Sequence, residues 1–228
     1  KKMVGNYMRL DEEYCLSEYV DLGRLGDNEK VHIVRNQVNG VIGVRKYVAL
    51  DLEEIYLFLK ENPNAYIPKI YECIQTDTNL IVIEEYLSGK NLEEMLKEKY
   101  FSEKDAADII ICLCNALYPL HHAKMPVICR DLKAENVILT NEGEVKLVDF
   151  DIARIYQPGK SKDTVMMGTQ GYAAPEQFGF GQTDARTDIY AMGVLLNYML
   201  VREFPMEKLT EGKFRTIVLK CIKINPED

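Results

Sequence analysis

The spacing of apolar residues changes once along the chain, near Ser88, and this change constrains the possible folds more than any other feature. Before it, β-branched runs at 30–36 and 41–50 flank Asn39-Gly40, a dipeptide typical of tight β-hairpins. The stretch 67–87 has the same character and predicts two further strands around a polar turn. The first part of the chain is therefore predicted to contain an antiparallel sheet.

Helical spacing dominates after Ser88. Residues 91–100 predict a short helix, and residues 102–123 a long one, with Ser102 as its N-cap and Asp105 three places later. Residues 187–201 are apolar on nearly all sides, which predicts a buried helix.

The first part also contains one amphipathic stretch, 50–61, which predicts a helix that stops before Asn62-Pro63. Taken together with the length of 228 residues, these patterns predict an α+β fold, either as one large domain or as two small lobes that share a cleft. The N-terminal lobe, residues 1–87, combines the sheet with one helix, and the C-terminal lobe, residues 88–228, is mainly helical.

Composition limits the class of protein. Hydrophobic residues make up 47% of the 228, enough for a sizeable core, and the formal net charge of −8 argues against binding to nucleic acid or to an anionic membrane. The six cysteines form no CxxC pair, so a reducing compartment is the simplest interpretation. No signal peptide and no apolar run of about 18 residues is present. We therefore expect a soluble, cytoplasmic protein without membrane contact in these residues.

Two short apolar segments carry polar residues suited to chemistry. In ICRDLKAENVIL, Asp131 is followed by Lys133 and Asn136, and in VKLVDFDIAR, Asp149 again lies between apolar residues. Phosphoryl transfer from a metal-bound nucleoside triphosphate needs an oriented acceptor, oxygen ligands for Mg²⁺ and a cation near the phosphates. Asp131 is suited to orient a hydroxyl, Asn136 and Asp149 to bind Mg²⁺, and Lys133 to neutralise the transferred group.

The order of the motifs resembles the eukaryotic-like Ser/Thr protein kinases. CRDLKAEN is similar to their catalytic loop, DFD to their metal-binding DFG motif, GTQGYAAPE to the end of their activation segment, and TDIYAMG to the start of the following helix. The resemblance runs from about Leu22 to Glu227. It implies a two-lobed kinase fold that binds MgATP between the lobes and transfers phosphate to Ser or Thr hydroxyls of protein substrates.

The resemblance also assigns roles to single residues. Lys46 would contact the α- and β-phosphates, and its helix partner would be Glu53, or else Glu54. The remaining residues would contact the adenine ring. Val44 would cover the ring, and backbone groups of Glu85 and Leu87 would form hydrogen bonds with it. Ile138 would either lie beneath the ring or serve only as part of the core.

The sequence departs from the kinase pattern at several places. Cys129 replaces the catalytic-loop histidine, and Asp151 replaces the glycine of DFG. Glu84 falls at a position that is often apolar, so we predict that its carboxylate has a cation or hydroxyl partner or turns toward solvent. The Gly-rich loop fits two registers: Leu22 begins a loop with one extra residue, or Leu25 begins a shortened one, with Lys30 in part replacing backbone N–H groups.

The polar segment from about Arg154 to Tyr172 is too long for a simple connection. Arg130 resembles the arginine that receives an activation-segment phosphate in related kinases. Acceptor candidates are Ser161, Thr164 and Thr169; we favour Thr164, because Thr169 is expected to contact the catalytic loop.

Three function classes remain open. The first is an active protein Ser/Thr kinase, including one that phosphorylates itself. The second is a pseudokinase that binds nucleotide or a partner, which the altered Gly-rich loop favours. The third is a small-molecule kinase, and GTQGYAAPE argues against it.

Overall fold

The computed structural model describes residues 10–26, 29–159, 167–179 and 181–227. The chain forms two compact units, one ending at Leu87 and the other beginning at Ser88. Within the described residues, no helix is both long and apolar enough to cross a membrane.

The first unit is built on a five-stranded antiparallel sheet. Strands are numbered in chain order, and their order in the sheet is β1-β2-β3-β5-β4. Their bounds are β1 Tyr19–Arg24, β2 Val31–Asn36, β3 Ile42–Val48, β4 Ile70–Gln75 and β5 Leu80–Glu85. The predicted hairpin at Asn39-Gly40 is confirmed: it joins β2 to β3, and Gly40 has a φ of 75°, which suits glycine.

Two α-helices lie within the described residues of the first unit. Helix α1, Leu10–Ser17, was not predicted and has no buried residue. Helix α2, Glu53–Glu61, follows a single 3₁₀ turn at Leu50–Leu52, ends where Asn62-Pro63 predicted, and packs against β4.

The second unit is mainly helical, as predicted. Its helices are α3 Leu92–Glu98, α4 Glu103–His121, α5 Ala185–Val201 and α6 Gly212–Cys221. Helix α5 is buried on most sides and packs against both α4 and α6. The α+β fold class is therefore confirmed.

Helix α4 begins with a complete capping box. The Ser102 hydroxyl accepts a hydrogen bond from the Asp105 N–H, and the Asp105 side chain accepts one from the Ser102 N–H. The predicted start of this helix is therefore confirmed.

Short strands of the second unit position the polar motifs. Strand β7, Val127–Ile128, pairs with β10, Arg154–Ile155, while β6, Gly89–Asn91, β8, Val137–Thr140, and β9, Val145–Leu147, form a small sheet. The loop between β7 and β8 carries Asp131, and Asp149 follows β9.

Candidate active site

Asp131 is held by donors on both oxygens of its carboxylate. Oδ1 accepts from the Thr169 hydroxyl at 2.7 Å, and Oδ2 lies 2.8 Å from Lys133 Nζ. The amide nitrogen of Asn136 donates to the same Oδ2 at 3.0 Å. These charge-assisted contacts fix the carboxylate in one orientation, as a group that must align an acceptor hydroxyl requires.

Thr169 connects the activation segment to this loop. Its hydroxyl donates to Asp131 Oδ1 and accepts from Lys133 Nζ at 3.1 Å. The expected contact between Thr169 and the catalytic loop is therefore confirmed. A hydroxyl engaged in this way is a poor candidate for phosphorylation.

Asn136 is buried and turned so that its amide nitrogen faces Asp131. Nδ2 donates to the Asp131 carbonyl at 2.9 Å and to the Asp131 carboxylate, which leaves the amide oxygen on the opposite side. The Asn136 backbone carbonyl in turn accepts from the Val148 N–H at 2.9 Å. This bond places Asn136 beside the chain that leads into Asp149.

Asp149 has a φ of 69°, and its Oδ1 accepts from the Asp151 N–H at 3.1 Å. Aspartate tolerates this left-handed conformation better than most residues. Of the two aspartates, only Asp149 has positive φ within the described residues. The conformation at Asp151 therefore does not require the glycine that usually occupies this place in related sequences.

The donor set fits Mg²⁺. Asn136 contributes an amide oxygen and Asp149 a carboxylate, the hard oxygen ligands that Mg²⁺ prefers when phosphates and water complete its shell. No group of three or more His, Cys, Asp or Glu residues within the described ranges could form an all-protein metal site. A magnesium ion bound with nucleotide phosphates matches these residues better than a structural metal.

Asp188 supports the loop from helix α5. Its carboxylate is fully buried and accepts from the N–H groups of Cys129 and Arg130 at 2.9 and 2.8 Å. A third contact, 2.7 Å, joins Asp188 Oδ2 to His121 Nε2. These bonds hold Arg130 at a φ of 65°, a conformation that costs on the order of 1 kcal/mol outside glycine.

Gln177, in the 3₁₀ turn Pro175–Phe178, forms a hydrogen bond with the same loop. Its buried amide nitrogen donates to the carbonyls of Arg130 and Met167, both at 2.8 Å, and its amide oxygen accepts from the Ala174 N–H. The packing beside it leaves no room for a side chain at Gly168, whose added Cβ would lie 2.8 Å from Gln177 Nε2.

Sequence reasoning missed Asp188, His121 and Gln177 as supports. The signal for Asp188 is present, because a carboxylate inside the apolar run TDIYAMG needs buried donors. Nothing local marks His121, whose partner Asp188 lies 67 residues away, or the bond from Gln177 to the Arg130 carbonyl, which spans 47 residues.

Cys129 occupies the place of the catalytic-loop histidine and is fully buried. Burial, reinforced by the nearby Asp188 carboxylate, raises the pKa of its thiol well above the usual value. The thiol is therefore neutral and inert, and it serves as packing.

In the first unit, Lys46 pairs with Glu84. Lys46 Nζ lies 2.5 Å from Glu84 Oε1, and both side chains are largely buried. The prediction that Glu84 has a cation partner is confirmed. Glu84 lies on β5, the strand beside Lys46, whereas α2, which carries Glu53, packs against β4, and the pairing of Lys46 with Glu53 stays a prediction.

The residues expected to contact adenine lie at strand positions. Val44 is buried on β3 directly opposite Glu84, while Glu85 ends β5 and Leu87 is half-buried at the end of the unit. In the second unit, Ile138 on β8 is also half-buried, which suits a binding surface better than plain core. Their contact with adenine remains a prediction.

The region of the Gly-rich loop forms a hairpin between β1 and β2. The Leu25 N–H donates to the Val31 carbonyl at 3.0 Å, which places the turn between these two residues. Gly23 instead lies at a β-bulge within the paired strands, where the Asp21 carboxylate accepts from its N–H. Residues 27 and 28 lie outside the described part of the chain, and both registers of the Gly-rich loop stay predictions.

The acceptor candidates Ser161 and Thr164 lie outside the described residues. Arg130, the expected phosphate receiver, donates from Nε to the Ile152 carbonyl at 2.7 Å.

The chain is similar to known kinases over most of its length. The family model described as the protein kinase domain matches residues 31–227. The probable serine/threonine-protein kinase PknB of Corynebacterium glutamicum is 38% identical over 130 residues, which cover 55% of this chain and 20% of that protein. Protein kinase C zeta type of Oryctolagus cuniculus is 29% identical over 224 residues, which cover 89% of this chain and 37% of that protein.

A third relative, from a plant, is intermediate between these two in sequence identity and in the share of this chain that is covered. The EPD1-interacting receptor-like cytoplasmic serine/threonine-protein kinase 5D of Gossypium barbadense is 32% identical over 157 residues, covering 67% of this chain and 34% of the relative. The chain thus spans between a fifth and two fifths of these curated relatives. Motif order, fold and the match over residues 31–227 agree, and the chain belongs to the protein kinase domain family, with the eukaryotic-like serine/threonine kinases.

Proposed function

We propose that this chain transfers the γ-phosphoryl group of MgATP to serine or threonine hydroxyls of protein substrates. The observation that carries the proposal is the Asp131 cluster, in which Lys133, Asn136 and Thr169 fix one carboxylate from both sides. Such a carboxylate has the orientation needed to align a hydroxyl for attack on phosphorus.

In the proposed reaction, the substrate hydroxyl oxygen bonds to the γ-phosphorus while the bond from that phosphorus to the β–γ bridging oxygen breaks. ADP leaves with the bridging oxygen, and Asp131 accepts the hydroxyl proton. Lys133, whose Nζ is 2.8 Å from Asp131 Oδ2, lies where it can neutralise charge on the transferred group. Bound Mg²⁺ would offset phosphate charge, and Asn136 and Asp149 would hold it.

The first unit supplies the proposed nucleotide contacts. Lys46 would bind the α- and β-phosphates, while Val44 and backbone groups of Glu85 and Leu87 would contact adenine. Ile138 of the second unit would contribute an apolar surface. Six free cysteines support placing this activity in a reducing compartment such as the cytoplasm.

A protein substrate is favoured over a small molecule. The segment from Gly168 to Glu176 is the feature that distinguishes protein kinases from small-molecule kinases with a similar aspartate-to-asparagine spacing. Here it is bonded to the catalytic loop through Thr169 and Gln177. Acidic net charge gives no support to a nucleic-acid substrate.

A pseudokinase is the second candidate, and the altered Gly-rich sequence between Leu22 and Lys30 is the observation that favours it. A degenerate Gly-rich loop would offer fewer backbone N–H groups to phosphates than a full one. A pseudokinase would bind MgATP without transfer.

The deciding experiment measures transfer from labelled MgATP to the protein itself and to a generic basic protein. We expect label with the wild type and a loss of about 100-fold or more with Asp131→Asn, which keeps the shape of the side chain but accepts no proton. Glu142→Gln, which neutralises an exposed carboxylate between β8 and β9, is the matched control and should transfer normally. Mapping the label would test Thr164 as an acceptor.

Two outcomes would contradict the kinase proposal. Mg²⁺-dependent nucleotide binding without transfer would establish the pseudokinase instead. Equal transfer by wild type and Asp131→Asn would show that this carboxylate is not the catalytic group.

A further inference from the structure

We propose that Glu84, a strand residue, is the positioning residue for Lys46, in the role that a helix carboxylate would otherwise have. The ion pair with Glu84 then orients Lys46 from a neighbouring strand of the same sheet. This inference rests on the proposed function, because it concerns the lysine that would bind the nucleotide phosphates.

The sheet register explains why these two side chains meet. On the antiparallel pair β3–β5, Val44 is directly opposite Glu84, and Lys46 is directly opposite Val82. Residues two apart on a strand share a face, so Lys46 and Glu84 are diagonal neighbours on one face. Their charged atoms lie 2.5 Å apart.

The ion pair between Lys46 and Glu84 is buried. Because removing two charges from water costs free energy, the pair indicates a role other than stability. The side chains of Lys46 and Glu84 are only 13% and 8% exposed. A buried ion pair is often no more stable than two apolar side chains of similar volume. Two apolar side chains would satisfy the fold, so the charges are explained better by the need to hold an ammonium group in place.

The competing carboxylate of helix α2 is Glu53, which is half-buried and, like Glu84, influences the thiol of Cys73 on β4. The buried residues of this helix are all apolar or aromatic, namely Ile55, Tyr56 and Leu59. Glu53 is the first residue of the helix, only seven places after Lys46. The helix packs against β4, whereas Lys46 lies on β3, which is separated from β4 by β5.

The consequence concerns regulation. A lysine that depends on a helix carboxylate is misplaced whenever the helix moves. A lysine paired within the sheet keeps its orientation as long as β3 and β5 stay paired. We therefore expect the Lys46 side chain to remain oriented in the absence of nucleotide and to be insensitive to changes in α2.

The first test needs no nucleotide. An amine-acylating reagent is applied to the wild type and to Glu84→Gln, and modification of Lys46 is followed by mass spectrometry. The carboxylate favours the charged ammonium, which does not react, so its removal should accelerate Lys46 acylation about tenfold or more. Glu84→Asp, which keeps the charge on a shorter side chain, should give an intermediate rate.

Two comparisons make this test specific. Glu72→Gln breaks another lysine–carboxylate pair of the same unit, in which Lys60 of α2 lies 3.0 Å from Glu72 of β4, and should leave Lys46 acylation unchanged. Glu53→Gln tests the helix carboxylate. Equal acceleration by Glu53→Gln and Glu84→Gln, or no acceleration by Glu84→Gln, would overturn the proposal.

The second test separates this proposal from the proposed function. With MgATP as substrate, Glu84→Gln should lower kcat/KM about tenfold or more, while melting temperature shows whether the variant is folded. An inactive wild type would refute the proposed activity and leave the acylation result standing. Acceleration of acylation with unchanged kcat/KM would show an ion pair without a positioning role and would overturn the inference.

Discussion

Gln177 shows how much one buried amide contributes at the scale of a residue. It donates to two carbonyls, those of Arg130 and Met167, and accepts from the Ala174 N–H. Two of these groups belong to the activation segment and one to the catalytic loop. Among uncharged side chains, only the amides of Gln and Asn offer two N–H donors together with a carbonyl acceptor, and Gln is the longer of the two.

Replacing Gln177 by Leu should therefore destabilise the protein through three unpaired backbone groups. We expect the free energy of unfolding to fall by about 3 kcal/mol, measured by urea denaturation. Gln182→Leu is a matched control, because Gln182 makes an exposed hydrogen bond to the Gln157 carbonyl, and it should cost less than about 1 kcal/mol. Equal losses from the two variants would contradict the role assigned to Gln177.

The residue scale is also where sequence reasoning reached its limit. The proximity of Asp131 and Asn136 could be predicted because these two hydrogen-bonded residues are only five positions apart. The partner of Lys46 was not, because Glu84 is 38 positions away and is brought close only by the β3–β5 register. Charge identified Glu84 as needing a partner, but charge alone did not say which one.

At the scale of elements, helix α5 depends on its N-cap. The Asp184 side chain accepts from the Arg186 N–H at 2.8 Å and also bonds the Arg186 guanidinium. Burial alone would raise the pKa of Asp184, but the hydrogen bonds from Arg186 outweigh it and hold the pKa below its usual range. The cap is therefore stronger in its charged form.

This cap predicts that the stabilities of two variants at Asp184 depend differently on pH. Asp184→Ala removes the cap and should cost about 1 kcal/mol at pH 7, whereas Asp184→Asn keeps an acceptor and loses only the charge. Because the folded pKa is lowered, the charge stabilises the protein above about pH 4 and this part is lost as pH falls through the folded value. Thermal unfolding should give a higher melting temperature for the wild type than for Asp184→Asn at pH 7. The two melting temperatures should converge in acid. A gap that persists in acid would refute this account.

Elements with a buried face were predictable, and those without one were not. The β2–β3 hairpin and helix α4 show clear periodicity because one side of each is buried. Strand β1 is exposed along almost its whole length at the edge of the sheet, and α1 has no buried residue. Exposed elements place no demand on apolar spacing, so the sequence contains no pattern from which to infer them.

At the scale of the whole molecule, the order of motifs along the chain predicted the fold class and the family. The order of motifs does not reveal the hydrogen bonds between residues far apart in sequence that hold the catalytic loop. Asp188 bonds the N–H groups of Cys129 and Arg130 across 59 and 58 residues. A pattern read in short windows cannot reveal contacts of this range, although they fix the conformation of the catalytic loop.

These contacts predict the sequence of events in refolding. Cys129 should become protected from alkylation only when α5 has packed, later than Cys73, whose strand partner Val82 is nine residues away. Burial raises the pKa of Cys73 to about 11, so both thiols are unreactive once folded. Pulsed alkylation during refolding, followed by mass spectrometry, measures both. Simultaneous protection of the two cysteines would contradict this sequence of events.

The hydrogen bonds from Asp188 to the catalytic loop also determine when, during synthesis of the chain, this loop can adopt its final conformation. The ribosome adds about 5 to 20 residues per second, so the 59 residues that separate Cys129 from Asp188 take roughly 3 to 12 seconds. During that interval the nascent chain contains the whole catalytic loop but not the carboxylate that holds Arg130 in its left-handed conformation. A growing chain can therefore fix the left-handed conformation of Arg130 through Asp188 only after the start of α5 has emerged from the ribosome.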